Sequence, residues 1–319
     1  MSGPINTINT LPPQVQQYAD NLLLARKRPY TIHSLLAMKR QHPQASGNIH
    51  RFRRYNNLPT VPVPVGSSGL TGAALPLSAV DIDAQLQWYN GYVVLTDQVS
   101  LISQEDVLAQ TVDLLGQCLR ETEDQLVRDS LFATASFYNC VGGVNGDSPT
   151  EVTASDISNV TRTLLNNSAR TIMEVDEGEL KFGTSPTRQA YMVLAHTDLS
   201  ADLENVQGFT SVGNYPSQES ILRPEWGAVR NTRWLLSPLG SKTANASALG
   251  ATVYNNFVVG MESYGQIFLD GATAQFIYKP LGWGNDPTNL RQTAGFKFAM
   301  ASRVLNDGWI FNMRSTLAS

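Results

Sequence analysis

The sequence predicts a mixed α+β fold, and three observations carry that prediction. Residues 103–138 hold a long apolar stripe at helical spacing with no proline in it. Residues 80–88 alternate strictly between apolar and polar, the period of a half-buried strand. From residue 257 onward the chain breaks into short apolar and aromatic runs separated by turn residues. One long helix in the middle and strands gathered late fit the α+β class better than alternating βαβ units.

From the N-terminus, residues 1–13 are polar and close on Pro12-Pro13, an extended tail. Residues 14–26 and 31–41 carry helical patterns, on Val15, Tyr18, Leu22 and Leu23 and then on Ile32, Leu35, Leu36 and Met38. Pro29 and Pro43 end these segments. Two short helices cannot build a core alone, so the arm must dock. Residues 49–56 read as a strand with Arg51, Arg53 and Tyr55 on one face and Phe52 and Arg54 on the other. Pro59-Thr-Val-Pro-Val-Pro-Val65 excludes a central strand, because each proline removes a ladder donor, and suits an extended edge. Gly66, Gly69 and Gly72 mark a flexible tip. The return leg places Val80, Ile82, Ala84, Leu86 and Trp88 on one face and Asp81, Asp83, Gln85 and Gln87 on the other. Asn90-Gly91 reads as a turn before Tyr92-Val-Val-Leu95. A two-stranded projection is marginal in water, so its apolar face needs cover, and no adjacent segment obviously supplies it.

The helix begins in sequence at Ser103, with Glu105 and Asp106 placing negative charge at the positive end of its dipole. Val107, Leu108, Val112, Leu115, Leu119, Leu126, Val127, Leu131, Phe132 and Ala135 form one stripe. Asp113, Arg120, Glu121, Glu123, Asp124, Arg128 and Asp129 take the opposite face. Gly116 is its only glycine, and Gly142-Gly143 follow its end. A continuous helix here spans about 50 Å at about 1.5 Å per residue, a beam for a sheet to lie along. Further on, Ser155 reads as the cap of a helix to about Ala169, and residues 190–195 as a buried strand ending in His196-Thr-Asp198. Residues 209–223 and 242–250 are loop-like, and strands are expected within 225–237 and at 257–261, 267–269, 275–279 and 296–304. Asn306-Asp307-Gly308 then reads as a tight hairpin turn returning residues 309–311 antiparallel.

Composition narrows the class of function. At 319 residues and 16% charged, with abundant small and turn-forming residues, the chain suits a protein that gives much of its surface to partner subunits. The formal net charge of −4 hides an asymmetry: residues 1–54 hold eight Lys or Arg against Asp20 alone, +7, and the remainder sums to −11. Such a basic arm straps onto an acidic neighbour or contacts nucleic acid, and its shortness favours the strap. Cys118 and Cys140 form neither a disulfide framework nor a metal spacing, so reduced, cytosolic assembly is expected. No apolar run is long enough to cross a membrane, and the N-terminus lacks a secretory core. Three glycosylation patterns, at Asn159, Asn166 and Asn245, are chance matches in that setting.

The candidate chemistry is thin. His196 with Asp198 is the best enzymatic lead, since a His and a carboxylate at a strand end can form an acid–base pair. No Gly-x-Ser-x-Gly elbow or reactive cysteine completes it, and a strand-end cap explains the pair more simply. Asp81 and Asp83 share a face and could hold a divalent cation, against which a solvated or arginine-paired face is the better reading. Glu174, Asp176, Glu177 and Glu179 around Gly178 lack the spacing of a calcium loop, and Gly282-Trp-Gly284 has no phosphate context. Arg51-Phe-Arg-Arg-Tyr55 interleaves basic and aromatic residues as single-strand binders do, in too short a run to prefer that over ion pairs between subunits. The expectation is no enzyme, no cofactor and no metal.

Arg53-Arg-Tyr-Asn-Asn-Leu-Pro59, Gln87-Trp-Tyr-Asn-Gly-Tyr-Val-Val-Leu-Thr-Asp97, Lys279-Pro-Leu-Gly282, Asp286-Pro287, Leu290-Arg-Gln-Thr-Ala-Gly-Phe-Lys297 and the stretch 301–309 with Leu305-Asn-Asp307 stand in a suggestive order. Together with the basic arm, hairpin, long helix and late strands, they resemble the major capsid proteins of tailed phages with the Hong Kong 97-type fold, in the branch of N-four-like short-tailed phages. The resemblance covers about residue 45 to the end and is most specific at the C-terminus. It implies an N-terminal arm at 1–48, an extended loop at 49–100, the spine helix of a peripheral domain at 101–140, a mainly axial domain at 141–250 and a β-rich return to the peripheral domain at 251–319. It also implies self-assembly through pentameric and hexameric capsomers into an icosahedral shell around double-stranded DNA, in the virion, after assembly in the host cytoplasm. Portal and scaffold or decoration proteins are the expected partners, and no membrane. Arg51, Arg53, Arg54, Ile82, Leu86 and Trp88 are the candidate inter-subunit residues. An encapsulin-type nanocompartment, which shares the fold and packages protein, and a nucleic-acid-binding module are the alternatives.

Overall fold

Two sheets and one long helix share an apolar core. The computed structural model describes residues 28–58, 60, 75–103, 106–133, 136–141, 148–172, 174–177, 180–183, 190–215, 221–247, 250–284 and 286–318. The expected helix at 14–26, the proline-rich leg at 61–65 with Pro59 and the glycine tip lie outside those residues.

The arm contributes β1 (Met38–His42). The hairpin root is β2 (Ile49–Tyr55) with β3 (Ala79–Gln85), and β4 (Gln87–Thr96) leads through α1 (Asp97–Ile102) into α2 (Val107–Phe132). Next come β5 (Phe137–Asn139), α3 (Ala154–Asn166), a small hairpin of β6 (Glu174–Glu177) and β7 (Leu180–Gly183), β8 (Tyr191–His196) and α4 (Ser200–Asn205). Short strands β9 (Phe209–Ser211), β10 (Glu225–Val229), β11 (Thr232–Ser237) and β12 (Ser241–Thr243) follow. The chain ends with β13 (Val253–Val259), β14 (Tyr264–Leu269), β15 (Gln275–Lys279), β16 (Arg291–Val304) and β17 (Ile310–Ser315).

In the five-stranded sheet, β16 is the long central strand, paired with β4 on one side and with β14 and β15 in succession on the other. The arm strand β1 adds parallel to β14. The eight-stranded sheet runs β5-β17-β13-β8-β11-β10-β9, with β12 on β13. Both faces of that sheet are covered, which is why β8 reads as an unbroken apolar run rather than an alternation. Tyr191, Val193 and Ala195 share a cluster with Ile157, Val160 and Leu164 of α3, while Met192 and Leu194 join the core shared with the other sheet.

The beam helix is present but shorter than its stripe suggests: 26 residues, about 39 Å. Ser103 does not start it. Its N–H bonds back to Val99 to close α1, and Asp106 caps α2 by accepting from the Ala109 N–H at 3.0 Å. Residues 137–139 leave the helix because β17 offers them a parallel ladder. The helix continues through Gly116, and Leu115, Val127 and Leu131 are buried against Ala294, Phe296, Phe298 and Met300 of β16 in the shared core.

Four other expectations give way to tertiary structure. Residues 31–41 form turns and the start of β1 instead of a helix, because the edge of β14 supplies ladder partners that a short isolated helix lacks. Thr153, not Ser155, caps α3, in a reciprocal box with Asp156. Asn90-Gly91 lies within β4, where the missing Cβ makes room for the Phe296 ring, whose atoms would stand 2.8 Å from it. Residues 306–308 do not close a hairpin. Asn306 caps a short 3-10 turn, Asp307–Trp309, that carries the chain from β16 in one sheet to β17 in the other, antiparallel to β13.

Candidate assembly surfaces

The hairpin root has two unlike faces, set by the period of two. In the register of β2 and β3, Arg51 stands opposite Asp83 and Arg53 opposite Asp81. Each guanidinium grips its carboxylate with two parallel bonds, from Nε at 2.7 Å and from Nη2 at 2.9 Å in both pairs. The fork geometry of arginine suits this pairing. Hydrogen bonding to the partner holds both carboxyls below the usual range and lifts both guanidinium groups above theirs. Of the two readings of this face, solvated or arginine-paired, the structure has the second, and Arg51 and Arg53 find their carboxylates within their own hairpin instead of on a neighbouring subunit. Among the described residues no group of three or more metal-ligating side chains comes together.

The other face of the root is covered by its own chain. Ala84 and Leu86 are buried with Ile267 and Ala301 of the five-stranded sheet, and Phe52 and Leu269 close over them. This corrects the expectation that Leu86 lacks intramolecular cover. The cover was hidden because β14 and β16 lie more than 170 residues further along the chain. Ile82 is half-buried, whereas Trp88 is 61% exposed. Of the three arginines, Arg51 and Arg53 are spent on the ladder, and Arg54 reaches only the Leu305 carbonyl, at 3.5 Å.

A second surface is the outer edge of the five-stranded sheet at β15, which pairs with β16 alone among the described residues. β15 exposes Phe276, Ile277 and Tyr278 in succession, with Trp283 and Leu290 in the loop beyond. Across the sheet, Ile277, Gly295 and Tyr92 stand in one row, so Ile277 and the exposed Tyr92 share a face. A Cβ on Gly295 would meet the Gly91 carbonyl oxygen at 2.8 Å, so the close approach of β4 requires glycine there. An exposed apolar edge strand is a ready template for another chain.

The arm is fastened by a residue that sequence reasoning placed on the wrong face. Asp124 of α2 is fully buried and accepts from the His33 N–H at 2.8 Å, the Ser34 N–H at 2.9 Å and the Ser34 hydroxyl at 3.2 Å, with His33 Nδ1 at 2.8 Å from its other oxygen. Burial pushes this carboxyl up, but the His33 and Ser34 hydrogen bonds outweigh burial and hold it below the usual range. The Tyr264 hydroxyl donates to the His33 carbonyl at 2.6 Å, and Ile32 is buried in the shared core. A signal was available: Asp124 precedes Val127 by three residues and Leu131 by seven, which puts it on the apolar stripe.

His196 and Asp198 are brought together, but as a strand end. His196 Nδ1 accepts from the Asp198 N–H at 3.1 Å, and the Asp198 carboxylate accepts from the Tyr254 hydroxyl at 2.9 Å and Lys242 Nζ at 3.2 Å. Burial pushes the imidazole down, and Asp198 is held low because the Tyr254 and Lys242 bonds outweigh its own partial burial. The imidazole is buried, and its Nδ1 is engaged by the backbone two residues on.

No family model matches the chain, and no curated protein does. Solved structures do. The capsid of Ralstonia phage GP4 aligns with a TM-score of 0.68 at 12% identity, covering 100% of this chain and 99% of that one. The head structure of Helicobacter pylori bacteriophage KHP40 aligns at 0.67 and 11%, over 99% and 98% of the two chains. The cyanophage Pam1 capsid aligns at 0.65 and 15%, over 96% and 97%. Near-complete coverage in both directions at such low identity means that the architecture itself is shared, and this chain has the mixed α+β, Hong Kong 97-like fold of those phage capsid chains.

Proposed function

We propose that this chain is a phage major capsid protein, which assembles with copies of itself through pentameric and hexameric capsomers into an icosahedral head shell around double-stranded DNA. The observation that carries this reading is the near-complete likeness in fold to three phage capsid chains, over 96–100% of this chain. The exposed apolar edge at β15 supports it, since closure by symmetry-related copies removes such edges. In this reading the chain has no catalytic role. The hairpin is the extended loop, α2 the spine of the peripheral domain with residues 251–319, and the middle of the chain the axial domain. Residues 1–48 are the arm. Portal and scaffold or decoration proteins are partners, assembly takes place in the host cytoplasm, and the C-terminal motifs favour the N-four-like branch.

Expression of the chain alone and with its genomic neighbours, followed by sedimentation and negative-stain microscopy, tests the proposal. Closed particles or ring-shaped capsomers are the expected outcome, with DNA in particles made during infection. A monodisperse monomer across a wide concentration range, with scaffold supplied, would refute it. Protein cargo without nucleic acid would point to a nanocompartment instead.

A further inference from the structure

A cleft of about 780 Å³ opens where the hairpin root meets the body. Its walls come from β2, the end of α3, the turn between β13 and β14, and the crossover before β17. Arg54, Arg170, Tyr55, Asn167 and Trp309 line it, with Glu262 as a countercharge. Arg170 makes no ion pair among the described residues, and Arg54 has only its long bond to the Leu305 carbonyl. Two arginines facing one open cleft without a carboxylate on either is an unsatisfied arrangement in a chain whose body carries a balance of −11 beyond residue 54. Glu262 adopts φ +58°, a left-handed conformation uncommon for a glutamate, and so does Ser168 beside Asn167, at φ +54°. Both turns that shape the cleft are thus held in conformations that ordinary loops avoid.

We infer that this cleft receives an acidic segment of a second copy of the chain, and that its partner is the run Glu174, Asp176, Glu177 and Glu179. The inference rests on the shell reading and names one contact within it. Two observations select that partner. It is the densest run of carboxylates in the sequence, four in six residues. Glu174, Asp176 and Glu177 lie on β6, which together with β7 pairs with no other strand among the described residues, and a lone two-stranded pair needs outside support. Nucleic acid fits the cleft less well, because Glu262 sits in its wall and Asp81 and Asp83 flank the same root. The sequence pointed to Arg51, Arg53 and Arg54 together. The structure leaves Arg54 of these three available and adds Arg170, which the sequence gave no reason to choose.

Charge reversal decides the matter. Arg54→Glu with Arg170→Glu should leave the subunit folded by circular dichroism and lower particle yield by about tenfold or more, since like charges across a contact are strongly disfavoured. Glu174→Lys with Glu177→Lys should do the same, and all four changes in one chain should restore assembly. A tagged copy of the first variant should capture the second variant but not itself, which places the contact between copies. The milder Arg54→Gln with Arg170→Gln covers the case in which reversal disturbs folding. Normal empty-shell yield for the arginine variants overturns the inference, as does failure of the four-fold variant to recover. Loss confined to DNA-filled particles assigns the arginines to nucleic acid and also overturns it. Failure of the unaltered chain to assemble strikes the shell reading instead, and capture between the two swapped copies still decides the contact.

Discussion

Replacing Asp124 tests whether the arm is part of the folded body or only rests on it. Asp124→Asn keeps one oxygen for the backbone N–H groups of His33 and Ser34, but turns an NH2 towards His33 Nδ1. The imidazole must then accept at Nδ1 and carry its proton on Nε2, which is buried with no hydrogen-bond partner among the described residues. The loss of charge-assisted bonding alone costs about 1.5–3 kcal/mol. Asp124→Ala strands two backbone donors and the imidazole, on the order of 3–9 kcal/mol at about 1–3 for each unsatisfied buried group. Against a typical margin of about 5–15 kcal/mol, that approaches unfolding. Urea titration measures the loss, and hydrogen exchange over residues 30–37 locates it. The sign with pH is fixed as well. The folded carboxyl lies below its unfolded value, so its stabilisation is complete above about pH 4 and drains away as pH falls through the folded value. Wild type and Asp124→Asn should therefore converge in stability at low pH. An Asp124→Ala protein within about 0.5 kcal/mol of wild type, with unchanged exchange in the arm, would refute the reasoning.

Three other perturbations probe different layers. Glu225→Gln leaves the buried Arg233 without the carboxylate that its Nε meets at 2.7 Å, and should cost about 3–5 kcal/mol by chemical denaturation. Leu131→Ala, at a fully buried position of α2, should cost about 2–5 kcal/mol, and a smaller loss would show that the helix does not seat on the sheet as described. Ile277→Lys on the exposed edge β15 should leave the subunit's melting temperature within the usual small range for surface changes, yet reduce particle yield, which gel filtration and microscopy measure together.

What the sequence revealed follows from how local each signal is. The α2 stripe and the alternation in β3 involve neighbours a few residues apart, so both elements could be read directly. The cap of α3 was missed by two residues, because Ser155 and Thr153 carry the same capping chemistry and only the Asp156 geometry separates them. The crossover at 306–308 has the residues of a hairpin turn, and nothing local says that β17 finds its ladder on β13, some fifty residues upstream. The helical spacing of Ile32, Leu35 and Leu36 arises because all three dock on the shared core from an irregular segment, a non-local cause that imitates a local pattern. Among the candidate site residues, alternation showed that Arg51 and Arg53 share one face and Asp81 and Asp83 another, but it pointed the arginines to a neighbouring subunit. The register that sets each opposite an aspartate of its own hairpin is not a local signal. Arg170 was not legible, since its place in the cleft depends on α3, β14 and the hairpin meeting.

The distribution of exposed apolar groups bears on how such a subunit is built to associate. A monomer that had to persist alone would cover or charge the edge of its five-stranded sheet. Here β1 covers the edge at β14 and stops at His42, and among the described residues no strand pairs with the outer edge of β15 beyond it. The hairpin root buries Ala84 and Leu86 against its own body and carries the arginine–aspartate ladder on its other face, while Ile49 and Tyr55 of β2 stay exposed. In the shell reading proposed above, the ladder stiffens the root as a strut, while the edge strand β15 and the arginine cleft, itself partly lined by β2, supply contact. Because the ladder joins β2 to β3 through exposed ion pairs, each worth little alone, its effect is on geometry more than on stability. Arg51→Ala with Arg53→Ala should therefore leave the thermal melt nearly unchanged and broaden the size distribution of the particles. A uniform loss of subunit stability would place the ladder among the elements that hold the fold together, and the division between strut and contact would fail.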